Sequence, residues 1–200
     1  MNSTLFKNST ILTNEQSIQL ANLINLNQSD SSIKLLYQGS VDGFLTQYLY
    51  SKSKSLQGGL IVAKSTHNNI FGVYTEANLD LSKTYLREDA NAFMFSLVNI
   101  FNSPVTMNII DQRYALGIYV SSGPIAFLDD SLNLLEGYIP VAGGSCRSSS
   151  LNYQIPSFLD TSKFSNRFLG GDFNFELFDI ELYSIPFIDR KFIIFLIFFN

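Results

Sequence analysis

The spacing of apolar and polar positions changes along the chain, and the changes mark its parts. Residues 1–13 are polar, with scattered apolar positions, and are expected to be mobile. Thr13 is placed to cap a helix, and Gln16, three residues on, completes a capping box. Ile18, Leu20, Ala21, Leu23 and Ile24 then fall at helical spacings, which predicts a short amphipathic helix over Asn14–Asn25. Asn27–Ser32 reads as a polar linker.

From Ile33 the pattern becomes that of strands. Ile33, Leu35 and Tyr37 fall on one face of an extended segment, with Lys34 and Leu36 on the other. Asp42 and Gly43 mark a turn. Asp42 is also placed to cap a helix carrying Phe44, Leu45, Tyr48 and Leu49 on one side, with Lys52 and Lys54 in its last turn and Gly58 and Gly59 beyond. Short strands are expected at Leu60–Lys64, Ile70–Thr75, Ala92–Ile100, Tyr114–Val120, Ile125–Leu128 and Phe173–Ser184. A helix competes for Ala92–Ile100, because the run is short and apolar throughout. Many short strands separated by turn residues imply antiparallel sheets packed face to face. The fold class expected is therefore α+β, mainly β: two antiparallel sheets in a sandwich, with a few flanking helices.

Composition narrows the function. The chain has 200 residues, enough for one domain with short extensions. It is 46% hydrophobic and only 15% charged, which supplies a core and excludes a disordered chain. A net charge of −4 with no basic stripe excludes nucleic acid as a partner. The single cysteine, Cys146, rules out an intramolecular disulfide and a Cys-based zinc site. The segment MNSTLFKNSTILTNEQ lacks the continuous apolar run of a signal peptide, so a reduced, cytoplasmic compartment is expected. At the other end, Phe192–Phe199 is too short to span a bilayer as a helix. It reads as a terminal strand tucked into the core, as chain outside the domain, or as a membrane anchor.

The order of motifs resembles the TLDc domain family. The family's opening "K-L-L-Y-x-x-S-x-D-G-F" is similar to KLLYQGSVDGF at Lys34–Phe44. An apolar strand ending in Lys, followed by "I-F-G-G-Y-T", is similar to LIVAK at Leu60–Lys64 and IFGVYT at Ile70–Thr75. "D-x-x-A-F-L-F-S-L" is similar to DANAFMFSL at Asp89–Leu97, and "G-P-x-F-G" with a later "D-L" to GPIAFLDDSL at Gly123–Leu132. A Ser-rich stretch and a Tyr correspond to Ser148–Tyr153, and the closing strand to LGGDFNFELFDIELY at Leu169–Tyr183. Three features depart from the family: Leu49–Ser53 stands where "F-H-x-K-C" is usual, Ala126 stands where Gly is usual, and there is no Trp. The resemblance ends near Ile185. It divides the chain into a flexible N-terminus (1–13), a helix and linker (14–32), a TLDc-like domain (33–185) and an apolar tail (186–200). It implies a sandwich of two sheets, a link to oxidative-stress resistance, and binding and regulation of the vacuolar proton-pumping ATPase. Membrane association would then be only indirect. The family carries no agreed catalytic set, so the resemblance assigns none.

Candidate chemistry is sparse. The lone histidine, His67, sits in THNN between two expected strands and reads as a solvated turn residue. Cys146 lies in the Gly/Ser-rich AGGSCRSSS beside Arg147, a cation that would lower a thiol's pKa and make it redox-sensitive; the plainer reading is an incidental loop cysteine. The same segment lacks the G-K-[ST] ending of a phosphate-binding loop, and no G-x-S-x-G elbow surrounds any serine. The carboxylate candidates are Asp129 with Asp130, and the Glu176, Asp179 and Glu181 group. On a strand Asp179 and Glu181 share a face, with Glu176 opposite unless a bulge intervenes. Glu181 is expected to tie the closing strand to its neighbours by hydrogen bonds. Gly39, Gly43, Gly72 and Gly170 read as positions where a turn or a close approach forbids a side chain. No catalytic, cofactor-binding or metal-ligating residue is assigned, and no cofactor is expected. The leading expectation is a non-catalytic interaction domain. The alternatives are a thiol-dependent antioxidant or hydrolase-like enzyme, and a diverged domain with another partner.

Overall fold

The computed structural model describes residues 5–26, 33–54, 56–79, 85–118, 125–127, 132–136, 143–146, 167–172 and 174–185. The fold is mainly β, built on one six-strand antiparallel sheet with few helices. The chain begins with α1 (Asn14–Leu23), β1 (Lys34–Gln38), α2 (Gly39–Asp42) and α3 (Thr46–Ser53). It continues through β2 (Gln57–Ser65), β3 (Ile70–Asn78), β4 (Tyr85–Arg87), β5 (Phe93–Val98) and β6 (Val105–Asn108). After these come β7 (Leu116–Ile118), β8 (Ile125–Phe127), β9 (Leu132–Glu136), β10 (Gly143–Cys146) and β11 (Asn174–Ser184). The sheet runs β1–β11–β2–β3–β5–β6. From β4, antiparallel pairs lead through β7, β8, β9 and β10 to β11 at Asn174–Glu176. Face-to-face packing of two sheets is not among what the described residues show.

Both faces of the six-strand sheet are buried, which is why its central strands read as unbroken apolar runs. On one face Ile61, Ala63, Phe71, Val73, Met94, Phe175, Leu177, Ile180 and Leu182 form a first cluster, joined by Tyr37, Leu49 and Phe168. On the other, Leu60, Val62, Ile70, Tyr74, Phe93, Phe95, Leu97 and Tyr183 form a second. Each Val, Leu, Ile, Phe or Met among them contributes about 1.5–3 kcal/mol when fully removed from water. Burial on both sides decides between helix and strand in favour of a strand, Phe93–Val98, shorter than the expected Ala92–Ile100: Met94 packs into the first cluster while Phe93 and Phe95 pack into the second.

The second cluster is closed by the N-terminal segment, whose polar sequence hides three core side chains. Phe6, Ile11 and Leu12 are buried in it, so residues 5–13 form a strap across the sheet. The strap leads into α1, whose Thr13–Gln16 capping box is made in full. The buried stripe of α1 is Ser17, Leu20 and Ala21, continued by Ile24, while Ile18 turns outward. The linker expected at 27–32 and the tail at 186–200 lie outside the described residues.

A β-bulge corrects the simple alternation expected of β1. At β1 the register passes from Leu35↔Tyr183 to Tyr37↔Leu182, so Leu36 is the extra residue. Tyr37 therefore joins the first cluster, while Ile33 and Leu35 pack with the second. Beyond β1, Asp42 accepts from the Gln38 N–H (3.0 Å) and pairs with Lys52 (3.0 Å). It does not cap α3, whose N-cap is Leu45 without a side-chain hydrogen bond. The strand expected from Tyr114 starts only at Leu116, because Gln112–Tyr114 forms a single 3-10 turn capped by Asp111.

Gly72 is fixed by close approach: a Cβ there would run into the Ile61 carbonyl oxygen and the Phe95 ring. We expect Gly72→Ala to cost about 3 kcal/mol through overpacking. Ser65 behaves in the opposite sense, since its Oγ is buried without a hydrogen-bond partner among the described residues. Ser65→Ala is expected to stabilise by about 1 kcal/mol, by removing an unsatisfied hydroxyl. Urea unfolding of both variants at neutral pH checks the two signs; destabilisation by Ser65→Ala would mean that the hydroxyl is in fact used.

Candidate functional site

The densest polar arrangement among the described residues is built on β11, and a bulge places it. Leu177 pairs with Ser65 and Asp179 with Lys64, leaving Phe178 as the extra residue. Phe175, Leu177, Ile180 and Leu182 thereby all reach the first cluster although their numbering changes parity. Asp179, Glu181 and Tyr183 turn to the opposite face, under the strap. The bulge also sets Glu176 on the same side of the strand as Asp179, but Glu176 is solvent-exposed and takes no part in the arrangement.

Asp179 is 1% and Glu181 0% exposed. Carboxyl groups shut away from water need donors or they destabilise the fold, and each oxygen here has them. Asp179 Oδ1 accepts from the N–H groups of Ser40 (2.9 Å) and Ile180 (2.8 Å). Its Oδ2 accepts from the hydroxyls of Ser40 (2.6 Å) and Thr10 (2.6 Å) and from the Gln38 amide (3.2 Å). Glu181 Oε1 accepts from the Thr10 N–H (2.7 Å), more weakly from the Ile11 N–H (3.4 Å), and lies 3.2 Å from Thr10 Oγ1. Glu181 Oε2 accepts from the hydroxyls of Ser9 (2.7 Å) and Tyr183 (2.7 Å). Ser9 is held in turn, because its Oγ accepts from the Leu12 N–H (2.9 Å). The expected tying role of Glu181 is met, with Asp179 as an equal member.

No ion pair among the described residues reaches either carboxyl, so the donors are neutral. Burial pushes the Asp179 carboxyl up, but the hydrogen bonds from Ser40, Thr10 and the Ser40 and Ile180 N–H groups outweigh it. The net effect holds the group below its ordinary 3.8. Burial, followed by the charge of Asp179 and then that of Asp42, pushes the Tyr37 hydroxyl well above its usual range. Burial and the adjacent Glu181 do the same to Tyr183. With all four carboxyl oxygens engaged, the pair has no oxygen left over to take a proton from a substrate or to ligate a metal. Among the described residues no cluster of His, Cys, Asp and Glu is placed to hold a metal ion.

The other sequence candidates are dispersed. His67 is exposed in the turn between β2 and β3, as expected for a solvated turn residue. Cys146, expected in a loop, lies at the end of β10 opposite Leu132 in β9; the Gly-Gly-Ser before it extends as a strand because β9 and β11 offer it backbone partners. Arg147, Asp129, Asp130 and Ser148–Tyr153 lie outside the described residues. The four glycines behave as read: Gly43 has a positive φ (96°), and side chains at Gly39, Gly72 and Gly170 would strike Phe44, Phe95 and Phe175 respectively.

Sequence reading missed the donors Ser9, Thr10, Gln38 and Ser40, and a further carboxylate at Asp89. Asp89 accepts from the Thr75 hydroxyl (2.6 Å) and the N–H groups of Glu76 (2.6 Å) and Asn91 (2.8 Å), closing the end of β3 onto the turn before β5. One signal was available. Acidic residues inside the apolar run FELFDIELY demand donors, and hydroxyl-rich NST near the N-terminus could supply them.

Compared with family models, residues 5–186 match the one described as the TLDc domain, so the strap and α1 fall inside the matched region. No curated protein matches the chain.

The depressed Asp179 carboxyl makes stability depend on pH in a defined direction. Its contribution is fully present above about 3.8, the ordinary value, and is lost as pH falls through the lower folded-state value. We expect Asp179→Asn to cost about 2–3 kcal/mol at pH 7, with less further loss than the parent on going to strong acid. Urea unfolding at neutral and acid pH measures both; parallel acid limbs in parent and variant would remove Asp179 from the account.

Proposed function

The chain belongs to the TLDc domain family, and on that premise we propose that it is a non-catalytic regulatory domain that docks on the cytoplasmic part of the vacuolar proton-pumping ATPase. The observation that carries this reading is the family match over residues 5–186. The saturated carboxyl pair supports its non-catalytic part, since the densest polar arrangement is spent on holding the chain to itself. In this reading the protein works in the cytoplasm and contributes to oxidative-stress resistance through the pump. Among the described residues no helix is long and apolar enough to cross a membrane, and membrane association runs through the pump alone. The proposal includes the sandwich: the β4–β7–β8–β9–β10 ladder lies over the first cluster, with docking loops at one end.

The departures at Leu49–Ser53 and the lack of Trp favour a second reading, a TLDc domain turned to another protein partner. One experiment separates the two. The full chain is incubated with the soluble sector of the pump and with the assembled pump, followed by size-exclusion chromatography and assay of ATP-driven proton transport. Saturable co-elution with a change in transport is expected. A folded chain that elutes alone and leaves transport unchanged overturns the pump reading and leaves the diverged one.

A further inference from the structure

Two unlike kinds of contact hold the strap over residues 5–13. Phe6, Ile11 and Leu12 are buried, and the Phe6 ring stands edge-on to Tyr183 at 5.1 Å. The polar contacts of Ser9, Thr10 and Ile11 with β11 converge on Asp179 and Glu181. The Thr10 hydroxyl lies at the centre: 2.6 Å from Asp179 Oδ2, 3.2 Å from Glu181 Oε1, and accepting from the Gln38 amide at 2.6 Å. Yet Thr10 is exposed as a residue, and so is Lys7, three positions before it.

We propose that Thr10 is a phosphorylation site whose modification unlatches residues 5–13 from β11 and uncovers Tyr183 and its apolar neighbours. The donor is a nucleoside triphosphate held by a protein kinase that reads a basic residue upstream, here Lys7. Thr10 Oγ1 attacks the γ-phosphorus, and the bond from that phosphorus to the bridging oxygen breaks. The nucleoside diphosphate leaves with the electron pair, and the hydroxyl proton passes to a carboxylate base of the kinase. The enzyme captures the strap while it is open, and the product cannot close again. A phosphoryl group carries roughly −1.5 to −2 charges and has no proton to donate to Asp179. In the closed geometry it would face two carboxyl groups ringed by neutral donors, with no ion pair among the described residues reaching either one. Loss of a donor, repulsion and added bulk act in one direction.

The test treats the folded full chain with magnesium ATP and a basic-directed Ser/Thr protein kinase. The phosphate is mapped by mass spectrometry and hydrogen–deuterium exchange is followed by peptide. Phosphate on Thr10 is expected, with exchange over residues 5–13 faster by about tenfold or more while β2 and β3 keep their protection. Phosphatase treatment should restore slow exchange. Thr10→Val, which removes the hydroxyl without adding charge, should take up no phosphate at that position and loosen the strap less. The proposal is overturned if Thr10 stays unmodified, or if it is modified without faster exchange over 5–13. It is equally overturned if β2 and β3 open together with the strap, or if Thr10→Val loosens the strap as much as the phosphate does.

Discussion

The carboxyl groups of Asp179 and Glu181 are closed off from water, and much of the structure follows from supplying them with donors. No lysine, arginine or histidine is paired with them among the described residues. The need is met by hydroxyls, an amide and N–H groups drawn from three separate stretches of chain: Ser9–Ile11, Gln38–Ser40 and β11 itself. Burying charge costs several kcal/mol unless each oxygen is engaged. Such a pair acts as a constraint before it acts as a source of stability. It admits one placement of the strap and one of the β1–α2 turn, whereas the apolar contacts of Phe6, Ile11 and Leu12 alone would tolerate small shifts.

The constraint also explains why β11 departs from a regular strand. Its apolar residues must face the first cluster on both sides of Phe178, and its acids must face the strap. A strand of strict alternation cannot satisfy both, and the extra residue at Phe178 reconciles them. The bulge leaves Phe178 55% exposed, with the Lys64 ammonium 4.9 Å from its ring centroid. An outward phenylalanine is thus the visible cost of an inward pair of acids.

Much of this could be read from the chain. The Thr13–Gln16 box, the central strands β2, β3, β5 and β11, the His67 turn and the glycines that brush against aromatic rings all follow from local chemistry and period. The failures have physical causes. Residues 5–13 look polar in part because Ser9 and Thr10 are donors to a site about 170 residues away, a relation no local window contains. The bulges at Leu36 and Phe178 reverse faces without any glycine or proline to announce them. Strands such as β4, β6 and β10 are three or four residues long, too short for a period to register. Ile18 fits a helical spacing yet turns outward, since Leu20, Ala21 and Ile24 set the phase.

The contact between Ser9 and Glu181 spans 172 positions. At a synthesis rate of about 5–20 residues per second, the N-terminal segment leaves the ribosome on the order of ten to thirty seconds before its acceptors exist. During that interval Phe6, Ile11 and Leu12 lack Tyr183 of β11, a member of the cluster that buries them. The last of the described strands in chain order is also the one that organises residues 5–13, so the domain closes its circle only once β11 has been made. Non-local closure of this kind slows folding and lengthens the time in which apolar surface is open to other chains. For the newborn protein, the first business of those early residues is to wait.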